Sequence, residues 1–233
     1  MTAATLTAVA AMPDDDYRRT ERKAQRFFDD GEWQNANAMY MLMLDSDPGD
    51  HTTYAHAVMA NVMLDDTAQV NMLMHQAMEH NVPIDSLLST IDRLSTQAGH
   101  GTLYERLLLN MGDHFGWMQR SLDRHLLTYY DKRDNGPAMV RYALRMLDGS
   151  PDNTAFADIL ARGYMLTGRY DDAVHVWRGI LTNHPDHYPT LLNLANYYIA
   201  SGQNALAIPY LQTAYVLRPT PHVERLLQTL SPN

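Results

Sequence analysis

The fold of this 233-residue chain is decided by residues 154–187, TAFADILARGYMLTGRYDDAVHVWRGILTNHPDH, and residues 188–221, YPTLLNLANYYIASGQNALAIPYLQTAYVLRPTP. The two stretches align without a gap, and small, glycine and proline residues occupy matching positions. These pairs are Ala161 and Ala195, Gly168 and Gly202, and Pro185 and Pro219. Because apolar residues recur at helical spacing on both sides of each glycine, each stretch predicts two helices joined by a short turn.

A repeat of this length, with small, aromatic and glycine residues at fixed offsets, resembles the tetratricopeptide repeat (TPR) family. The same offsets occur in an earlier stretch, at Ala24, Gly31, Trp33 and Pro48, and more weakly between residues 51 and 153. The resemblance implies an all-α fold, a right-handed superhelical solenoid of about six helix-turn-helix repeats with a C-terminal capping helix.

The repeat register also predicts the domain organisation. Residues 1–16 are expected to form a flexible N-terminal tail, and residues 17–233 a single TPR-like solenoid. The predicted repeats lie near 17–50, 51–84, 85–119, 120–153, 154–187 and 188–221, followed by the capping helix 222–230. Thr220 as N-cap and Pro221 in the first turn favour that last helix.

Packing accounts for most of the recurring residue types. Small residues such as Ala161 and Ala195 allow two helices to approach closely, and the aromatic and branched residues fill the space between repeats. Gly168 and Gly202 are expected to take positive φ in the turns. These residues are therefore interpreted as structural.

Composition restricts the classes of partner. The chain is 45% hydrophobic and 19% charged, as folded proteins are, and its formal net charge of −9 argues against nucleic acid and anionic membranes. No stretch is apolar for long enough to predict a membrane span. With no cysteine, disulfides and thiol chemistry are excluded.

The first residues bear on location. Residues 1–12 are small and mildly apolar but lack the basic region of a secretory signal. A cytoplasmic location is expected, with a periplasmic or secreted one as the alternative if residues 1–12 are the remnant of a signal peptide.

Enzymatic activity is not expected, because the sequence contains no recognisable catalytic, nucleotide-binding or dinucleotide-binding motif. Eleven histidines invite a metal hypothesis, but no three of them, with or without acidic residues, have the spacing of a metal site. We therefore expect no catalytic residues, no cofactor and no metal.

In TPR proteins the first helices of successive repeats line a concave groove in which partners bind. The resemblance places a peptide- or protein-binding groove at Phe28, Met59, Val62, Met63, Arg124, Asp158, Arg162, Asn193 and Asn196. Its first part is rich in methionine, which adapts to apolar segments, and its later part carries groups that hydrogen-bond a peptide. The alternative is that the methionines fill core gaps and the polar residues are simply solvated. The carboxylate clamp of chaperone-binding TPR domains is absent, since Thr128 and Ile159 stand where its asparagines belong.

The sequence thus predicts a non-catalytic scaffold or adaptor that binds a protein or peptide ligand. The alternatives are a homo-oligomeric structural assembly and a secretion- or chaperone-type accessory protein. Nothing in the residues identifies the partner.

Overall fold

A computed structural model describes residues 12–230, which form thirteen α-helices, one short 3-10 turn at Gly116–Met118 and no strand. The helices are α1 Asp14–Asp29, α2 Trp33–Ser46, α3 His51–Met63, α4 Thr67–Glu79, α5 Ile84–Gln97, α6 Gly101–His114, α7 Gln119–Asp131, α8 Gly136–Asp148, α9 Thr154–Leu166, α10 Tyr170–Asn183, α11 Tyr188–Ala200, α12 Asn204–Leu217 and α13 Pro221–Leu230. The all-α prediction of six helix pairs and a final helix is confirmed.

The start of α1 differs from the sequence prediction. The helix begins at Asp14, inside the stretch 1–16 that was expected to be a tail. Asp14, Asp15 and Asp16 form its first turn, where negative charge is favourable next to the positive end of the helix dipole. The rest of the predicted tail, residues 1–11, lies outside the described residues, as does nearly all of the stretch considered as a signal remnant.

The turn within each helix pair contains one residue with positive φ. These residues are Gly31, Asp65, Gly99, Asp134, Gly168 and Gly202. Their spacing is 34 residues except between the third and fourth, where it is 35 (134 − 99). The extra residue falls in the segment that contains the 3-10 turn. Aspartate thus replaces glycine in two of the turns, which removes part of the repeat pattern at residues 65 and 134.

Side-chain caps fix several helix starts. Asp50 accepts hydrogen bonds from the backbone N–H groups of Thr52 and Thr53, and Asn153 accepts one from Phe156 at 3.1 Å. The predicted cap of the last helix is present, since the Thr220 hydroxyl oxygen accepts from the Val223 N–H. Each cap satisfies backbone donors that have no partner within the helix.

The chain divides into two compact units with the boundary between His125 and Leu126, inside α7. In unit 1, α3 is the central helix: α2, α4 and α5 pack against it, and residues 53–62 are all buried. In unit 2, α8 to α13 pack in succession, each on the next. The single solenoid over residues 17–233 stays a prediction.

Helices α8 and α9 of unit 2 approach closely at two glycines. A methyl group on Gly163 would lie 3.1 Å from the Met139 Cβ, and one on Gly136 would lie 2.8 Å from the Leu166 Cβ. The distance at Gly136 is shorter than carbon atoms tolerate, and the distance at Gly163 is tighter than most carbon contacts, so the close approach is favoured by the absence of a side chain at both positions.

Among residues 12–230, no helix has both the length and the apolar character needed to cross a membrane.

Candidate functional site

The predicted groove residue Phe28 lies at a cleft of about 460 Å³ in unit 1. We call it the α1–α5 cleft, because it lies between the C-terminal ends of those two helices. One side is formed by Gln25, Phe28, Asp29, Asp30, Gly31 and Trp33. The other side is formed by Leu94, Gln97, Ala98 and His100. The cleft therefore combines aromatic and aliphatic side chains with amides and carboxylates.

An aromatic cluster holds Phe28 in place. Its ring meets Trp33 and His56 edge to face, each with ring centres 5.1 Å apart, and His56 stacks on Tyr40 at 5.2 Å. The His56 Nδ1 lies 2.9 Å from the Thr52 carbonyl oxygen and must therefore donate. Burial lowers the pKa of His56 below its ordinary value, so the ring is held in its neutral form. Sequence reasoning missed His56, which lies one helical turn from Thr52 on a helix that is buried on nearly all sides.

The two amides of the cleft keep hydrogen-bonding groups available. Gln25 donates to Asp29 at 2.7 Å, which leaves its carbonyl oxygen without a partner among the described residues. The Gln97 carbonyl oxygen accepts from Arg93 at 3.2 Å, which leaves its NH₂ group without one. One side of the cleft thus offers an acceptor and the other a donor, as a bound peptide group requires.

The methionine-rich surface predicted on α3 is largely interior. Met59 is only 1% exposed on α3, against which α2, α4 and α5 pack, so no partner can reach it in this structure. Val62 is buried and lines a smaller cleft of about 210 Å³, and Met63 is half-buried. Met59 therefore has the position of a methionine that fills the core, which was the alternative to a groove residue.

Arg124 joins a polar cluster around Asp85 rather than an open groove. Its guanidinium lies 2.6 Å from one carboxylate oxygen of Asp85, and the other oxygen accepts from Ser121 and lies 3.1 Å from the His125 Nε2. The hydrogen bond from Arg124 is the largest cause of the low Asp85 pKa, about 2, so this carboxylate is ionised. Nε2 of His125 therefore donates, and its Nδ1 accepts from the Tyr104 hydroxyl at 2.9 Å.

The Asp85 cluster is a structural tie between α5, α6 and α7. Tyr104 is 2% exposed, so its hydroxyl is closed to any substrate. Beside the cluster, Trp117 of the 3-10 turn is 76% exposed and lines a cleft of about 290 Å³.

The predicted groove residues of unit 2 fall into two partnered groups. The Arg162 guanidinium lies 2.8 Å from Asp131 and 3.7 Å from Asp134. Asp158 accepts hydrogen bonds from Trp177 Nε1 at 3.0 Å and from Asn193 at 2.8 Å.

Asn196 is exposed and has no hydrogen bond among the described residues of this unit. The structure therefore brings Asp158 and Asn193 together, and it ties Arg162 to acidic residues that the sequence prediction did not include.

Unit 2 also has a cleft of about 370 Å³ that contains none of the predicted site residues. It lies where the α8–α9 turn, at Pro151 and Asn153, meets His175 and Ile180 of α10. Within residues 12–230, no three histidine, aspartate or glutamate side chains are grouped so as to hold a metal ion.

Comparison with solved structures identifies the fold. PilW, a type IV pilus biogenesis factor, matches with a TM-score of 0.52 and 16% identity, over 94% of this chain and 99% of PilW. A tetratricopeptide repeat protein from Parabacteroides merdae matches with a TM-score of 0.51 and 13% identity, over 93% of this chain and 86% of its own. The C-terminal part of a TPR repeat-containing protein from Cytophaga hutchinsonii matches with a TM-score of 0.50 and 13% identity, over 84% and 78%.

No family model matches the sequence, and no curated protein matches it either. At such low identities the structural matches show the fold alone. The TPR-like fold that the 34-residue repeat predicts is confirmed.

Proposed function

We propose that this protein is a non-catalytic scaffold or adaptor that binds a peptide or protein segment, and that the α1–α5 cleft receives that segment. The observation that carries the proposal is the make-up of this cleft, in which Phe28, Trp33 and Leu94 are flanked by the amides of Gln25 and Gln97. Its volume lies within the range of sites that hold small ligands or a few side chains.

The cleft is suited to a peptide in two respects. Binding is favoured when an apolar side chain of the partner leaves water and packs against the aromatic and aliphatic side chains of the cleft. The unpartnered carbonyl oxygen of Gln25 and NH₂ group of Gln97 can hydrogen-bond its backbone, whose polar groups must be satisfied when they leave water. A segment with one apolar side chain and an extended backbone meets both requirements.

Four of the predicted groove residues lie in unit 2. Asp158, Arg162, Asn193 and Asn196 would provide a polar surface for a peptide or protein segment bound to that unit. Arg162 already pairs with Asp131 and Asp134, so replacing it would also break these ion pairs. Replacing Asn196 breaks no hydrogen bond among the described residues, so weaker partner binding by that variant would report on the binding surface alone.

Two hydrogen bonds between a hydroxyl group and a histidine, the pairing that a nucleophile and its base would need, occur among the described residues, and their burial favours a non-catalytic role. A nucleophile must be reachable by substrate and lie beside a base. Tyr104 beside His125 and Thr190 beside His187 are both buried, and the second contact lies at the start of α11.

An occlusion variant tests the cleft directly. Ala98, the C-cap residue of α5, is exposed, lines the cleft and has negative φ, so Ala98→Trp can place a large ring in the cleft without disturbing the core. Ala38→Trp, at an exposed position of α2 outside the cleft, is the matched control. Peptides are first selected on the wild-type chain from a phage-displayed random library, and their affinities are then measured by fluorescence anisotropy.

We expect Ala98→Trp to weaken binding at least about tenfold, equivalent to ~1.4 kcal/mol, and Ala38→Trp to leave it unchanged. Selected peptides that bind Ala98→Trp as tightly as the wild type would disprove binding in the cleft. A library that yields no specific peptide would count against the scaffold function itself.

Self-association is the second candidate, favoured by the exposed apolar residues at the end of α12. Val216 is 82% exposed, and Tyr215 and Leu217 beside it are also exposed. Sedimentation velocity at increasing concentration separates the two functions. A monomer throughout would rule out assembly, and an oligomer that Val216→Lys dissociates would support it.

A further inference from the structure

We propose that the segment received by the α1–α5 cleft is basic, with a lysine or arginine next to the apolar side chain that enters the cleft. This inference rests on the proposed function and specifies the chemistry of the partner.

The first observation is a long stretch of the chain that contains no basic residue. Residues 27–92 contain no lysine or arginine but eleven acidic residues. These are Asp29, Asp30, Glu32, Asp45, Asp47, Asp50, Asp65, Asp66, Glu79, Asp85 and Asp92. The stretch includes the whole of α2, α3 and α4, so the negative formal charge of the chain is concentrated in unit 1.

The second observation is the position of two of these carboxylates. Asp29 and Asp30 line the α1–α5 cleft on its α1 side, Glu32 follows them in the same turn, and none of the lining residues is a lysine or arginine. On the α5 side the cation Arg93 donates to the lining Gln97 at 3.2 Å, so the negative charge of the cleft lies at its α1 edge. Asp29 and Glu32 are hydrogen-bonded to the neutral side chains of Gln25 and Asn35. Neither carboxylate is in an ion pair among the described residues.

Asp30 has a weak cationic partner. Its carboxylate lies 3.5 Å from Arg26 Nε, with 53% and 82% of the two side chains exposed. An ion pair that solvent screens to this degree contributes little and is easily exchanged for another. The rim of the cleft therefore keeps its capacity to accept hydrogen bonds from an incoming cation.

The two observations together select the occupant. An apolar side chain is favoured against Phe28, Trp33 and Leu94, while a lysine or arginine beside it reaches the carboxylates at the α1 edge. An acidic segment would place its negative charges beside those of Asp29 and Asp30. Repulsion between like charges is a usual means by which an interface excludes a wrong partner. The concentrated negative charge also steers a basic segment towards the cleft.

The library selection described above provides the first test. We expect the peptides selected on the wild-type chain to be richer in lysine and arginine than the unselected library and to contain an apolar residue next to a basic one. Synthetic copies should bind more weakly as sodium chloride is raised, because the Debye length falls from about 10 Å at 0.1 M to about 3 Å at 1 M.

The second test neutralises the rim. Asp29→Asn with Asp30→Asn should weaken binding of the selected peptides by roughly three- to tenfold, as expected for two solvent-exposed charge pairs. The fold should be retained, since a negative charge at the C-terminal end of α1 is unfavourable to the helix. The matched control is Asp171→Asn with Asp172→Asn, an exposed acidic pair in the first turn of α10, which should leave binding unchanged.

The outcomes separate the two proposals. Neutral or acidic peptides that Ala98→Trp excludes, but that the Asp29/Asp30 double variant binds normally, would overturn the basic-segment inference and leave the scaffold function standing. Failure of Ala98→Trp to exclude any peptide would overturn both.

Discussion

Replacing Gly163 by alanine should destabilise unit 2, even though alanine is the better helix former. Gly163 lies inside α9, and an added methyl group would be 3.1 Å from the Met139 Cβ, 3.0 Å from a Val140 methyl and 3.2 Å from the Gly136 carbonyl oxygen. The first and third of these atoms cannot move away by side-chain rotation. The backbone of α8 or α9 must therefore shift by a few tenths of an ångström.

The magnitude follows from two opposing effects. Alanine gains about 1 kcal/mol over glycine in a helix interior. Inserting a methyl group into a packed contact costs about 1–3 kcal/mol. With a central cost of about 2 kcal/mol, we expect the free energy of unfolding of unit 2 to fall by about 1 kcal/mol.

Gly179 provides the matched control. It also lies inside a helix of unit 2, but a methyl group there would meet no atom within 4 Å. Gly179→Ala should therefore raise the free energy of unfolding by roughly 0.5–1 kcal/mol, the gain in helix propensity alone.

Urea unfolding followed by the fluorescence of Trp177 measures both variants. Trp177 is buried and is the only tryptophan after residue 125, so replacing Trp33 and Trp117 by phenylalanine makes the signal specific to unit 2. The urea midpoint should fall for Gly163→Ala and rise for Gly179→Ala. A rise in both would refute the close contact between α8 and α9.

Three further predictions concern single side chains. The Tyr40 hydroxyl is buried without a hydrogen-bond partner among the described residues. Tyr40→Phe should therefore raise the free energy of unfolding by about 1 kcal/mol in urea titrations. A decrease would show that the hydroxyl has a hydrogen-bond partner. Asn153→Ala removes the cap of α9 and should lower the Trp177 midpoint by an amount equivalent to about 1 kcal/mol, with an unchanged midpoint as the contrary result. The pKa of Asp85 is lowered from 3.8 to about 2, so its contribution to stability is present above pH 3.8 and is lost as the pH falls towards 2. Asp85→Asn should therefore make the stability of unit 1 fall less steeply with acidification over that range, and an identical slope would contradict the role given to this carboxylate.

The candidate site was only partly predictable from the repeat register. The register predicted Phe28 as a groove residue, because a helix position determines which way a side chain points. Phe28 borders the α1–α5 cleft with 8% of its surface exposed, and its contact with a partner stays a prediction. It could not show that Met59 is buried, because its exposure depends on how α2, α4 and α5 pack against α3. It also could not show that Arg162 is bound by Asp131, a residue 31 positions earlier in the chain.

The sequence alone determined the period, the helix pairs and most of the turns. Glycine with positive φ, capping side chains and apolar residues at helical spacing act on their immediate neighbours, so their effect can be read locally. The tertiary structure decided the rest: the burial of Met59 in unit 1, the pairing of Arg162 with Asp131 in unit 2, and the composition of the α1–α5 cleft. These features depend on contacts between residues far apart in the chain, and it is packing between helices that determines which side chains stay accessible to a partner.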